Sequence, residues 1–175
     1  MPICIAPIFS DVGQIFQFKE RIVEESQRLL RIASKGVKNI TWCGGSCQKN
    51  RLQQTFEVAV SCHYGETMVK PDFFLRQMNV FRNKYKPVMF VVVSDDTEWC
   101  ERELHGDDVV VIRNKSPEQD LAIMAASKHS IIDYGTYGMW GAILSGGDTF
   151  VYNLTDSKGA AFEMASLLPN WHIVT

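Results

Sequence analysis

The sequence has neither an excess of positive charge nor a long apolar run, and each absence excludes a class of function. Its 175 residues carry 18 Lys and Arg against 20 Asp and Glu, a formal net charge of −2. This balance gives no basic surface of the kind that binds nucleic acid. No apolar run reaches the roughly 18 to 20 residues that cross a bilayer. We therefore expect membrane attachment only through an anchor that this chain lacks.

Groupings of residues that bind metals are also scarce. The chain has no Asp-x-Asp segment, and the nearest histidine to the close cysteine pair Cys43 and Cys47 is His63. A structural zinc site needs four ligands brought together, so a metal site is not favoured. The five cysteines leave at least one thiol free or in an intermolecular bond.

Apolar runs alternate with amphipathic segments along most of the chain. Hydrophobic residues make up 46% of the sequence, which suits one globular domain with its own core. Short apolar runs predict buried strands at residues 56–62, 88–93, 109–112, 130–133 and 149–152. Helical periodicity predicts helices at residues 16–33, 72–85, 117–127 and 160–168, with a shorter one from Thr97.

This order of elements predicts an α/β fold. Strands that alternate with helices form a Rossmann-like parallel sheet with helices on both faces. Residues 35–54 contain several glycines and basic residues and are interpreted as an irregular loop. We therefore divide the chain into an N-terminal segment of helix and loop, residues 1–55, and a Rossmann-like lobe, residues 56–175.

The stretch from residue 129 to residue 152 is the part around which we expect a site to form. It is interpreted as strand, glycine turn, helix and strand, with the turn at Gly135, Thr136, Tyr137 and Gly138. Free N–H groups at the start of such a helix attract anions, and a nucleotide diphosphate is the usual ligand in an α/β sheet. The alternative is that the glycines only allow a helix to pack closely on a strand.

A series of motifs from residue 90 onward resembles a known enzyme family. In order they are FVVVSDD, GDDVV, SPEQDLAIM, HSI, GTYGMWGA, GGDT and LPNW. This series is similar to the donor-binding half of the galactoside α1,2-fucosyltransferases, which transfer fucose from GDP-fucose to the 2-hydroxyl of a terminal β-galactose. The resemblance implies the donor lobe of a GT-B-type glycosyltransferase in the Golgi lumen. It also implies GDP-fucose and a β-galactoside glycan as partners, with no metal and no cofactor beyond the donor.

The same resemblance suggests roles for individual residues. It places Asp95 and Asp96 near the ribose or guanine of the donor, and the alternative for both is helix capping. Asp120 matches an acidic position at the donor nucleotide, and its alternative is a first-turn carboxylate favoured by the helix dipole. The turn at residues 135–138 is expected at the diphosphate. Trp140 is expected in the core.

One stretch departs from the family pattern. The family's His-x-Arg-Arg-Gly-Asp motif corresponds to residues 61–66, SCHYGE, where only Gly65 is kept. Arginine suits that motif because its planar guanidinium pairs with a diphosphate in a bidentate manner. His63 and Glu66 are the catalytic candidates that remain, and the alternative for them is an inert, solvated loop.

Three functions therefore stay open. The first is a galactoside α1,2-fucosyltransferase, whole or truncated, that works by single displacement with inversion at fucose C1. The second is an inactive relative that binds sugar nucleotide or glycan. The third is a Rossmann-type domain for a different nucleotide.

Overall fold

The computed structural model describes residues 16–35, 56–62, 69–153 and 160–175. Its strands are β1 (Phe56–Cys62), β2 (Val88–Ser94), β3 (Val109–Val111), β4 (His129–Ile132), β5 (Thr149–Tyr152) and β6 (Trp171–Val174). Its helices are α1 (Glu20–Lys35), α2 (Pro71–Lys84), α3 (Thr97–Glu103), α4 (Pro117–Ala126), α5 (Thr136–Ser145) and α6 (Ala160–Leu167). The ends of each strand predicted from the sequence differ from these by no more than one residue.

The strands form one parallel sheet in the order β3-β2-β1-β4-β5-β6. All five neighbouring pairs run parallel. The chain builds outward from β1 to β3, then returns to place β4 on the other side of β1 and continues to β6. This is the strand order of the Rossmann fold, and its direction reverses between β1 and β4. The predicted fold class is confirmed.

Helices cover both faces of the sheet, as the sequence predicts. On β2, Met89 and Val91 face one apolar cluster, while Phe90 and Val92 face the other, and all four are fully buried. The first cluster receives side chains from α1, α4, α5 and α6, and the second from α2 and α3. A strand that is buried on both faces reads as a continuous apolar run, which explains the segment VMFVVV.

Helix α1 packs on the same core as the lobe. Leu30 is 1% exposed and belongs to the first cluster, and the Ser26 hydroxyl donates to the Gln119 carbonyl at 3.4 Å. The helix predicted at residues 16–33 lies at Glu20–Lys35. The irregular loop predicted at 35–54 falls almost wholly outside the described residues, and the division at residue 55 stays a prediction.

Two expectations differ from the structure. The sequence pattern does not predict β6, because this four-residue strand pairs only with β5 at the sheet edge and is only partly buried. The expectation that Trp140 lies in the core is wrong, because its side chain is 48% exposed on the outer side of α5. Within the described ranges, no helix combines the length and apolar character that a bilayer crossing requires.

Two adjacent glycines follow α5, and each position needs glycine for a different reason. They therefore give a matched pair of stability tests. Gly146 adopts φ 73° with open space where a Cβ would lie. At Gly147 a Cβ would overlap the carbonyl oxygen of Lys128. We expect Gly147→Ala to lower the free energy of unfolding by about 3 kcal/mol because backbone must move, and Gly146→Ala by only about 1 kcal/mol. Urea unfolding of both variants measures this difference, and equal losses would contradict it.

Candidate functional site

A cavity of about 620 Å³ lies at the carboxyl ends of the central strands. Ser61 and Cys62 of β1, Val93 and Ser94 of β2, and Asp133 just after β4 contribute to its wall. The volume falls within the range of small-molecule sites, roughly 300 to 1,000 Å³. The cavity also lies beside the β1–β4 pair, where the strand order reverses and open α/β sheets bind their ligands.

The N-terminus of α5 forms part of the cavity wall. Gly135 is the N-cap of this helix and provides no side-chain cap for its first-turn amides. Thr136, Tyr137 and Gly138, which carry those amides, all line the cavity. The Asp133 carboxylate fixes the approach to the helix by accepting from the Gly135 N–H at 3.1 Å. Uncapped N–H groups and the positive end of the helix dipole make this wall suited to an anion.

The structure changes the interpretation of the predicted turn. Helix α5 already begins at Thr136, and Gly135 has φ −74°, a conformation open to any residue. A Cβ on Gly138 would lie 3.0 Å from Ser61 Oγ and 3.3 Å from Ile132 Cβ. Gly138 therefore allows close packing of α5 on β1 and β4, so the packing alternative holds for this residue, and the close packing also places the helix start at the cavity.

The hydroxyl of Tyr137 has a local partner. It donates to the backbone carbonyl of Pro117 at the start of α4. Burial and the nearby Asp120 carboxylate raise the pKa of Tyr137 well above its usual range. Tyr137 therefore joins α5 to α4 through its hydroxyl and offers its backbone amide to the cavity.

The neighbouring carboxylates Asp95 and Asp96 have different positions. Asp95 lines the cavity, next to the carboxyl end of β2. Asp96 is the N-cap of α3, and its Oδ1 accepts from the Trp99 N–H at 2.9 Å. The geometry favours the capping interpretation for Asp96. It places the Asp95 carboxylate in the cavity wall, where a ligand hydroxyl or amine could donate a hydrogen bond to it.

Asp120 faces the cavity from the first turn of α4. The cap of that helix is Ser116, which together with Gln119 forms a complete capping box. Burial raises the pKa of Asp120 to about 6, although the nearby Lys115 ammonium opposes this shift. A carboxyl group with such a pKa, in a cavity, is typical of functional sites.

Lys115 is a cavity residue that the sequence did not single out. Its side chain is only 3% exposed, and Nζ lies 3.0 Å from Asp120 Oδ1. The only sequence signal for it is its place in the loop between β3 and α4. That loop lies at the carboxyl edge of the sheet, where ligands bind.

Cys62 also lines the cavity, but it is not suited to act as a nucleophile. Its sulfur lies 3.1 Å from that of Cys100 on α3, and both residues are buried. The hydrogen bond to Cys100, together with burial, raises the pKa of the Cys62 thiol well above its usual range. Because the reactive form of cysteine is the thiolate, this thiol is unreactive at neutral pH.

The two proposed catalytic residues, His63 and Glu66, lie outside the described residues. The chain reaches them directly after Ser61 and Cys62, which line the cavity. Their roles stay predictions.

Comparison with known proteins identifies the family. The profile described as Glycosyl transferase family 11 matches residues 61–175. The chain belongs to glycosyl transferase family 11. The family-11 match includes β2 to β6 and every described residue that lines the cavity. It confirms the family resemblance that the motifs indicated.

Individual relatives of this family-11 chain carry fucosyltransferase names. Galactoside 2-alpha-L-fucosyltransferase Sec1 of Mus musculus is 34% identical over 167 residues, covering 89% of this chain and 44% of its own length. Galactoside alpha-(1,2)-fucosyltransferase 2 of Hylobates lar is 30% identical, covering 92% and 49%. The chain spans about half the length of the curated relatives it matches.

One solved structure, that of Thermosulfurimonas dismutans KpsC, a beta Kdo 2,4 transferase, shows a distant likeness. Its TM-score is 0.42 at 13% identity, covering 82% of this family-11 chain and 48% of that chain. This likeness is too weak to bear on fold or function.

The raised pKa of Asp120 predicts a pH-dependent difference in stability between the wild type and Asp120→Asn. An unfolded aspartate titrates near about 3.9, whereas burial raises the native pKa to about 6. The native state therefore disfavours the carboxylate, and this penalty is absent below both pKa values and complete above them. As pH rises from about 4 to about 6, we expect the wild type to lose on the order of 2 kcal/mol relative to the variant.

Urea unfolding of both proteins across this pH range measures the difference. A difference that does not change with pH would show that the native pKa of Asp120 is not raised.

Proposed function

We propose that this chain forms the donor-binding half of a galactoside α1,2-fucosyltransferase. In this proposal fucose passes from GDP-fucose to the 2-hydroxyl of a terminal β-galactose on a glycan. Membership of glycosyl transferase family 11 supports it, as do relatives named galactoside fucosyltransferases that are 30 to 34% identical to this chain. The Golgi lumen, expected from the family resemblance, is the proposed place of action.

One observation carries the proposal. The uncapped start of α5 lies in the wall of a cavity at the reversal of strand order, and carboxylates Asp95 and Asp120 line the same cavity. A diphosphate fits the helix start because its amides and dipole favour negative charge. Carboxylates accept hydrogen bonds from ribose hydroxyls or from guanine N–H groups. The two features together suit a guanosine diphosphate sugar.

The proposed reaction is a single displacement. The galactose 2-oxygen forms a bond to fucose C1 while the bond from C1 to the diphosphate oxygen breaks, which inverts the configuration at C1. A general base takes the hydroxyl proton, and GDP leaves with the electron pair. His63 and Glu66 are the proposed candidates for proton transfer. The amides of α5 would stabilise the charge that develops on the leaving diphosphate.

A second candidate is an inactive relative that binds sugar nucleotide or glycan without transfer. The observation in its favour is the sequence at residues 61–66, where His63 and Tyr64 stand in place of two arginines. Loss of one charge-stabilising contact in a transition state typically lowers the rate by about 10²- to 10³-fold.

Nucleotide binding tests the proposed ligand. By calorimetry we expect the chain to bind GDP and GDP-fucose but not NAD, because a carboxylate can accept from the N1–H and the amino group of guanine, a pair of donors that adenine lacks. Asp95→Asn should weaken GDP binding about 10-fold, the value of one charge-assisted hydrogen bond. Asp107→Asn makes the same charge change near the amino end of β3, and we expect it to have no effect. Binding of NAD without GDP would exclude the fucosyltransferase function.

Transfer of labelled fucose to a β-galactoside separates the enzyme from the inactive relative. The double variant His63→Arg with Tyr64→Arg should transfer about 10²-fold faster than the parent chain, because guanidinium groups would stabilise the leaving diphosphate. Both proteins are assayed in the background of the longest natural chain that carries this segment. GDP binding without transfer by either protein would favour the inactive relative.

A further inference from the structure

We propose that Lys115 is the residue that contacts the diphosphate of the bound nucleotide, in place of the arginine pair that this chain lacks. The inference rests on the proposed function in that the ligand is a nucleoside diphosphate or its sugar ester. It assigns a binding role to a residue outside the motifs that carry the family resemblance.

The position of Lys115 is unusual for a lysine. Lysine side chains are almost never fully buried unless they are paired. This one is 3% exposed in the cavity wall, and its partner there is Asp120. The preceding residue, Asn114, has a left-handed φ of 55°, and the following residue, Ser116, caps α4. Lys115 thus lies between a left-handed backbone position and the cap of α4.

Lys115 also provides positive charge among the charged side chains that line the cavity. Among the described residues that line the cavity, it is the only lysine or arginine, whereas Asp95, Asp120 and Asp133 are carboxylates. The sequence of residues 63–68, which follows β1, contains neither lysine nor arginine. A diphosphate placed among these carboxylates needs a nearby positive charge, because like charges in a partly buried site repel strongly. Lys115 supplies that charge in the cavity that the start of α5 also lines.

The contact between Lys115 and Asp120 leaves N–H donors of Lys115 for a further partner. Nζ lies 3.0 Å from Asp120 Oδ1, but within the described part of the chain this buried oxygen has no hydrogen-bond partner. The contact is therefore a charge contact without hydrogen-bond geometry. An ammonium has three N–H donors, so Lys115 has donors for a phosphate oxygen while it stays beside Asp120.

The chemistry of lysine differs from that of the arginines it would replace. Lysine binds phosphate as a compact point charge, whereas arginine also fixes orientation through two parallel hydrogen bonds. A lysine at this position would preserve affinity for the diphosphate and give less control over its geometry. The expected result is a chain that binds the donor well and holds it less tightly in the transition state.

The test compares GDP, GMP and guanosine as ligands of the wild type, Lys115→Met and Lys115→Arg by calorimetry. If Lys115 contacts the terminal phosphate, Lys115→Met should weaken GDP binding about 10- to 100-fold. Guanosine binding should stay unchanged, so the preference for GDP over GMP should disappear in this variant. Lys115→Arg should retain most of the preference. Lys84→Met is the matched control, because Lys84 pairs with Asp148 near the amino end of β5, away from the cavity.

Several outcomes would overturn the inference. Equal weakening of GDP, GMP and guanosine would show that Lys115 only supports the structure or the base site. Unchanged GDP binding in Lys115→Met would show that it makes no phosphate contact. If Lys115→Met does not fold, Lys115→Gln removes the charge with a side chain of similar length, and the same criteria apply.

A parallel series with UDP and UMP separates this inference from the proposed function. Binding of UDP but not GDP would exclude the guanosine donor, and loss of the preference for UDP over UMP in Lys115→Met would still support the phosphate contact. If the wild type binds no nucleoside diphosphate, both the inference and the proposed function are wrong.

Discussion

The parallel pairing of β1 with β4 at the centre of the sheet is the constraint on which the site depends. Their register places Ser61 opposite Ile132, and the Asp133 N–H continues the pairing by donating to the Ser61 carbonyl at 3.3 Å. Because both strands end together, the chain leaves β4 at the edge where β1 also ends. Gly138 then lets α5 lie directly on these two strands. The start of α5 is thereby placed at the cavity by ordinary packing.

Charge within the cavity imposes a second requirement. Lys115 and Asp120 are neighbours in the cavity wall with side chains only 3% and 16% exposed, and among the described residues Asp120 Oδ1 has no hydrogen-bond partner. A buried ion pair of this kind adds little to stability, because desolvation offsets the attraction between the charges. The position of this ion pair in the cavity wall is consistent with the proposed role of Lys115 in binding the diphosphate. In the proposed role, a lysine from the loop after β3 provides positive charge that the sequence of residues 63–68 does not contain.

Much of the fold follows from local patterns. The run VMFVVV indicates a strand buried on both faces, and β2 is such a strand. Ser116 followed by Pro117 and Gln119 predicts a helix start, and a capping box is found there. The order of these elements is enough to indicate a parallel sheet with helices on both faces. The motifs from residue 90 onward were specific enough to indicate the family, and the cavity residues Asp95 and Asp120 followed from that resemblance.

Other features depend on contacts between distant parts of the chain. The pattern that made Trp140 a core candidate could not show which side of α5 faces solvent. Nothing near Cys62 in the sequence indicates that its sulfur lies beside that of Cys100. In the sequence Lys115 resembles any loop lysine, and only the fold shows that its side chain is buried beside Asp120. The amino-acid sequence thus determined the elements, their order and the family, because periodicity and capping act over a few residues. Only the tertiary structure decided which side chains meet in the cavity and how their charges are buried, because burial is set by neighbours far away in the chain.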